Sequence, residues 1–287
     1  MRAIIVLLAA VFVSVSSSSY FKSLLDLRQE ISPWVSPRII EGQATSDGQF
    51  PYQVLIVVYS NGFKKPIVVG WCGGAIIADQ WVVTTSHCLA LCKDGSEFPV
   101  FYIEAGSVRA GQARQTTSVL STDAYLHPDF DPDYFWNDIG LLKTKPFDFS
   151  TPFVQPIALV AAGTDSTMYE GLYITIAGFG YTSTSGPPSE QILFTHYLKV
   201  ISLQSCQEKF AAGIVQDTVF CASDLSPPIT ATCYGDAGGP AAMEMSGVMT
   251  LVGLASFASK KGCDQAPQGF TDVAQYVKWI GKMMAKH

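Results

Sequence analysis

At 287 residues, 48% of them hydrophobic and only 15% charged, the chain has ample material for a sizeable core. A net charge of −6 without any basic run argues against nucleic acid as a partner and fits an acidic, solvated surface. No internal repeat and no metal-ligating cluster stands out.

Taken in order, the chain opens with Arg2, an apolar run over residues 3–15 and the small residues Ser16 to Ser19. That is the charged, hydrophobic and cleavable pattern of a signal peptide over 1–19. The run falls short of the ~20 residues needed to span a bilayer, so a secreted, extracellular protein without a membrane anchor is expected. In an oxidising compartment the seven cysteines can pair, leaving one over. Asn61 and Asn137 do not start Asn-X-Ser/Thr sequons. Residues 20–38 are a short mixed segment with Pro33 and Pro37 and no cysteine. Short apolar runs broken by turns follow. They read as strands over 54–59, 67–71, 75–77, 81–84 and 100–103, then over 173–178, 193–203, 219–221, 239–245, 248–257 and 269–273. Many short strands without helices between them predict an all-β protein with closed barrels. Only the end reads as a helix. Val273, Tyr276, Val277, Ile280, Met283 and Met284 share one face at helical spacing, and Lys278, Lys282 and Lys286 form the solvated other.

Several motifs carry a resemblance. Residues 232–240 read Thr-Cys-Tyr-Gly-Asp-Ala-Gly-Gly-Pro, residues 84–88 Thr-Thr-Ser-His-Cys, and residues 137–142 Asn-Asp-Ile-Gly-Leu-Leu. With Arg38-Ile39-Ile40-Glu41-Gly42 and Phe50-Pro51-Tyr52-Gln53-Val54 ahead of them, these resemble the trypsin and chymotrypsin family of serine proteases in order and spacing. The likeness covers nearly all of residues 39–287. It implies two antiparallel six-stranded β-barrels, roughly 39–150 and 151–287, with a C-terminal α-helix. Residues 149–159 would cross between them, and 20–38 would be a propeptide released by cleavage after Arg38.

The resemblance makes His87 the general base, Asp138 the carboxylate that orients it, and position 237 the nucleophile. The order His, Asp, then 237 is that of chymotrypsin and not of α/β hydrolases. Position 237 is alanine, and a methyl group cannot attack a carbonyl. The oxyanion hole would use the backbone N–H groups of Gly235 and Ala237, which survive a side-chain change. Asp236 would receive the new ammonium of Ile39. Disulfides are implied for Cys72 with Cys88, Cys206 with Cys221 and Cys233 with Cys263, leaving Cys92 over as a free thiol or, alternatively, for an intermolecular bridge. Thr232 would line the specificity pocket and Ser256 would sit behind the His–Asp pair, so neither replaces the missing serine. Ala231 at the pocket base supplies no counter-charge for Lys or Arg. Ala258 lies on its wall, Phe257 stands for the usual Trp, and Gln268 fills a position where the family has a small residue.

The reading is a secreted, monomeric serine protease homologue without proteolytic activity, cofactor or metal. It would act by binding extended polypeptide loops, protease inhibitors or other proteases, as a decoy, a cascade cofactor or an inhibitor scavenger. The alternative is an active chymotrypsin-like digestive endopeptidase in which alanine stands for a native serine.

Overall fold

Alternation is clearest where Phe101, Ile103 and Ala105 turn inward between more exposed neighbours, the period-two pattern of a strand with one face on a core. The computed structural model describes residues 43–60, 67–92, 99–180, 193–224, 232–259, 262–263 and 266–287, Cys92 by its backbone only. The expected signal peptide and propeptide, Arg38, Ile39 and Ala231 lie outside the described residues.

The first half holds β1 (Gln43–Ala44), β2 (Gln53–Ser60), β3 (Ile67–Ala78), β4 (Trp81–Thr84), β5 (Val100–Ala105), β6 (Gln115–Leu120), β7 (Ala124–Leu126) and β8 (Gly140–Lys143). The second holds β9 (Ala158–Leu159), β10 (Tyr173–Gly178), β11 (Phe194–Ile201), β12 (Val219–Ser223), β13 (Pro240–Met245), β14 (Val248–Phe257) and β15 (Gln268–Asp272). In the second half the order β11-β10-β13-β14-β15-β12 closes on itself through β11–β12 pairing, giving a six-stranded antiparallel barrel. β1 and β9 are appended to it, β9 by a parallel pairing with β14.

The first sheet is antiparallel in the order β6-β5-β2-β3-β4-β8-β7 and is not closed by pairing of its edges. Its edge strands β6 and β7 follow one another across the single turn Ser121–Asp123. β6 is rich in Thr and Ser and turns only Val119 fully inward. It therefore curls as a half-barrel, where the resemblance implied a second closed barrel.

The runs expected at 67–71 and 75–77 are one strand, β3. Gly73 and Gly74 interrupt its hydrophobic pattern because neighbours leave no room for side chains. A Cβ at Gly73 would lie 2.6 Å from the Gly239 Cα, and one at Gly74 2.9 Å from the Ile56 side chain.

The core is continuous across the two halves. Ala75, Val83 and Leu141 of the first sheet pack in one cluster with Ile176, Leu254 and Phe270 of the second. The C-terminal helix Val277–Lys286 adds Ile280 to that cluster and leaves its lysines exposed. It also reaches back to the first sheet. His127 sits against the rings of Tyr276 and Trp279 at 5.3 and 5.0 Å, and Lys143 Nζ donates to the His287 carbonyl.

All three disulfides implied by the resemblance are formed: Cys72–Cys88, Cys206–Cys221 and Cys233–Cys263. Each closes a loop of moderate length, which on the chain-entropy account stabilises the fold by roughly 3 kcal/mol.

Candidate active site

His87 lies in the short helix Ser86–Leu89 that follows β4, and Asp138 just precedes β8, the strand paired with β4. That pairing brings the two side chains together. His87 Nδ1 lies 2.6 Å from Asp138 Oδ2, and the His87 backbone N–H donates to Asp138 Oδ1 at 2.9 Å. A carboxylate so held fixes which imidazole nitrogen carries the proton and leaves Nε2 as the basic one.

Asp138 is fully buried, so its charge needs several donors to offset desolvation. Ser256, from the opposite half, donates its hydroxyl to Oδ2 at 2.6 Å. Thr271 on β15 donates to the Asp138 carbonyl at 2.8 Å, and Ser86 holds the next carbonyl, that of Ile139, at 2.6 Å. Tyr276 donates to the Asn137 side chain at 3.0 Å. Asn137 itself has φ 53°, a left-handed conformation that asparagine tolerates.

Ala237 lies beside this pair. The Cys88 sulfur is 3.7 Å from both His87 Nε2 and the Ala237 carbonyl. The loop from Cys233 to Gly239 is pinned by backbone bonds. Gly73 donates to the Ala237 carbonyl at 2.7 Å, Gly238 to Ala255 at 2.7 Å, and Gly239 to Asp236 at 2.9 Å. Among the described residues the N–H groups of Gly235 and Ala237 have no backbone acceptor. Gly235 has φ 92°, and a Cβ there would collide with the Trp71 indole. Both facts restrict the position to glycine.

Asp236 points the other way, into the protein, and is about 1% exposed. The N–H groups of Gly180 and Cys233 donate to it at 2.8 and 2.9 Å, and no cation among the described residues lies at ion-pair distance. Burial outweighs these two bonds and pushes its carboxyl up to about 6. A Cβ at Gly178 or Gly180 would overlap the carboxylate. Gly180→Ala is therefore expected to displace Asp236 and cost about 1–3 kcal/mol by overpacking, read from the urea midpoint.

Of the pocket residues, Ala258 is partly exposed beyond the end of β14, and Gln268 opens β15. Sequence reasoning missed three groups at this site. Phe135 stands edge-on to the His87 ring at 5.4 Å with φ 57°, an unusual conformation for a bulky side chain. Trp71 covers Gly235, and Thr271 supports Asp138 from the far half. An aromatic among turn residues and a hydroxyl within an apolar strand carry no periodic signal.

This geometry meets a clear set of relatives. The chain belongs to the trypsin family, whose profile matches residues 39–280. It is 29% identical to a collagenase of Hypoderma lineatum over 245 residues, covering 85% of this chain and 86% of the other. It is 30% identical to serine protease SP24D of Anopheles gambiae, with coverage of 87% and 82%. The solved structure of HL collagenase superposes with a TM-score of 0.72 at 26% identity, covering 86% of this chain and 98% of that one.

Proposed function

We propose that this protein is a secreted, non-proteolytic member of the family that binds extended polypeptide loops, such as those of protease inhibitors, in its cleft. The observation that carries this reading is Ala237. A base at His87 and its carboxylate stand ready beside a methyl group that has no proton to give and no lone pair to attack with. What remains is a binding surface. The edge Ser256 to Ala258 can pair with an extended ligand through its backbone, and the Gly235 and Ala237 N–H groups can receive a carbonyl oxygen. None of these contacts needs a nucleophile. Three disulfides and the apolar run near the start support secretion.

A second reading, an active endopeptidase in which position 237 is naturally serine, draws on the intact His87–Asp138–Ser256 arrangement and on relatives named as collagenase and protease. The binding reading is tested by one measurement. Protein cleaved after Arg38 is titrated calorimetrically with a rigid inhibitor loop, and the loop is then recovered. The binding reading expects micromolar or tighter association with the loop intact. Absence of binding at millimolar loop, or a cut loop, would overturn it.

A further inference from the structure

We propose that the outer face of the second barrel, centred on Tyr173, is an interface that takes a second copy of this chain, where the sequence reading expected a monomer. Alternation along β10 and β11 sends Ile174, Ile176 and Leu198 into the core and turns Tyr173, Tyr197 and Lys199 outward. Tyr173 is 61% and Tyr197 59% exposed. Lys199 pairs with Tyr173 on one side of β10. On the other side Thr175 pairs with Ala242, so the same register two residues along sets Glu244 beside Tyr173. Glu244 in turn pairs with Met249. One row across β11, β10, β13 and β14 thus reads Lys199, Tyr173, Glu244, Met249.

The apolar groups around this row are gathered, not scattered. Of the ten exposed large hydrophobic side chains among the described residues, six belong here. Met168 and Leu172 lead into Tyr173, Val248 precedes Met249, and Tyr197 stands one pair further along the sheet. Single exposed apolar residues are ordinary, but a group of them on one face marks an interaction surface.

The two charges select the occupant. Lys199 and Glu244 flank Tyr173 from neighbouring strands, roughly 10 Å apart by sheet spacing, and neither has an ion-pair partner among the described residues. A twofold axis lying between two such faces and running along β10 sets each Lys199 over the other copy's Glu244, with the two Tyr173 rings meeting at the centre. The face is then its own complement, and the contact closes on itself as a dimer instead of growing into a filament. A twofold running across the strands would instead place Lys199 on Lys199 and Glu244 on Glu244, which like-charge repulsion disfavours. The charge pattern therefore fixes both the partner and the way it sits.

Size and place follow from the same geometry. A convex barrel meets its twin along about three strands, a strip roughly 15 Å wide and, for the six residues of β10, roughly 20 Å long. With Met168, Leu172 and Val248 at its margin, the interface falls at the low end of specific ones, near ~1,000 Å² in total. A reversible dimer in the micromolar range is expected. Tyr173 opens β10, whereas Gly178 closes it against Asp236, so the copies meet away from the cleft and leave both clefts uncovered. The interface stands whether or not those clefts bind loops.

The test is sedimentation equilibrium of the chain without its expected signal peptide and uncut at Arg38, from micromolar to submillimolar concentration. A monomer–dimer equilibrium is expected. Lys199→Glu and Glu244→Lys should each weaken the dimer at least tenfold, because each sets like charges face to face. An equimolar mixture of the two variants should dimerise as the parent does, since every facing pair is again opposite in sign. The double variant Lys199→Glu, Glu244→Lys should recover for the same reason. All three changes lie on exposed or half-exposed strand positions, and circular dichroism checks that each variant is folded. A chain that stays monomeric throughout overturns the proposal, and a dimer appearing only after residues 20–38 are released names that segment as the occupant instead. A dimer indifferent to both single substitutions, or a mixture that fails to recover, also overturns it.

Discussion

Ala237→Ser is expected to raise hydrolysis of an activated ester by a factor approaching 10⁶ in protein cleaved after Arg38. Loss of the nucleophile from a serine-protease triad costs a factor of about 10⁶ in kcat, roughly 8 kcal/mol of barrier. The other parts needed to recover it are in place. His87 Nδ1 is 2.6 Å from Asp138, Asp138 is held by Ser256, and the Gly235 and Ala237 N–H groups are free of backbone acceptors among the described residues. A hydroxyl added to the Ala237 Cβ would therefore find a base already oriented. The gain should vanish in the double variant Ala237→Ser, His87→Ala. Turnover by Ala237→Ser no faster than by the alanine form would mean that the site cannot use a nucleophile even when given one.

The second large effect is expected from cleavage after Arg38. In the uncut chain the Ile39 nitrogen is an uncharged amide, and Asp236 depends on two N–H donors that leave its carboxyl raised to about 6. A carboxyl raised on folding contributes fully below its ordinary value near 3.8 and loses that contribution as pH rises through about 6. At 1.36 kcal/mol per pH unit the loss amounts to about 3 kcal/mol. Cutting supplies an ammonium that can pair with the carboxylate and offset the loss. The cut form is therefore expected to be more stable than the uncut form by about 3–5 kcal/mol at pH 7, with the gap narrowing toward pH 4. Asp272, also raised to about 6 by burial, titrates in both forms and drops out of the comparison. Urea unfolding of both forms at the two pH values measures the gap. Equal stability at pH 7 would show that Asp236 does not receive the new terminus.

Much of this site was legible in the sequence because its parts are short and contiguous. His87 sits next to a bonded cysteine, Asp138 next to an apolar strand, and Asp236 and Ala237 within a run of glycines. Each glycine in that run answers to a neighbour that only folding reveals, as Gly235 does to Trp71. Strands with strong apolar runs, such as β2, β4, β10 and β14, fall where expected. β6 and β8 do not announce themselves: one is a Thr- and Ser-rich edge, the other four residues long. The sequence expectation split β3 at its glycines, where close packing rather than a turn excludes side chains. That the first sheet stays open was not readable, because closure depends on whether two edge strands meet, a property of geometry and not of composition. The bonding of Gln268 escaped for a related reason. Its sequence position marks it as out of place, but only the fold brings Thr232 and Cys263 within reach of its amide.

Asp138 belongs to one half by chain and to the other by its partners. Its imidazole neighbour comes from the first sheet, whereas Ser256 and Thr271 reach it from the second barrel. Were the halves to drift apart, the buried carboxylate would be left partly unsolvated, a state that water entering a narrow seam repairs poorly. The ion thus works as a rivet through the joint between two sheets that already share one apolar cluster. Such a joint ties catalytic geometry to architectural integrity. A lineage that abandons hydrolysis can lose the serine hydroxyl with little penalty to its fold, but it cannot discard the aspartate so easily. The machinery of a reaction no longer performed would then persist as masonry.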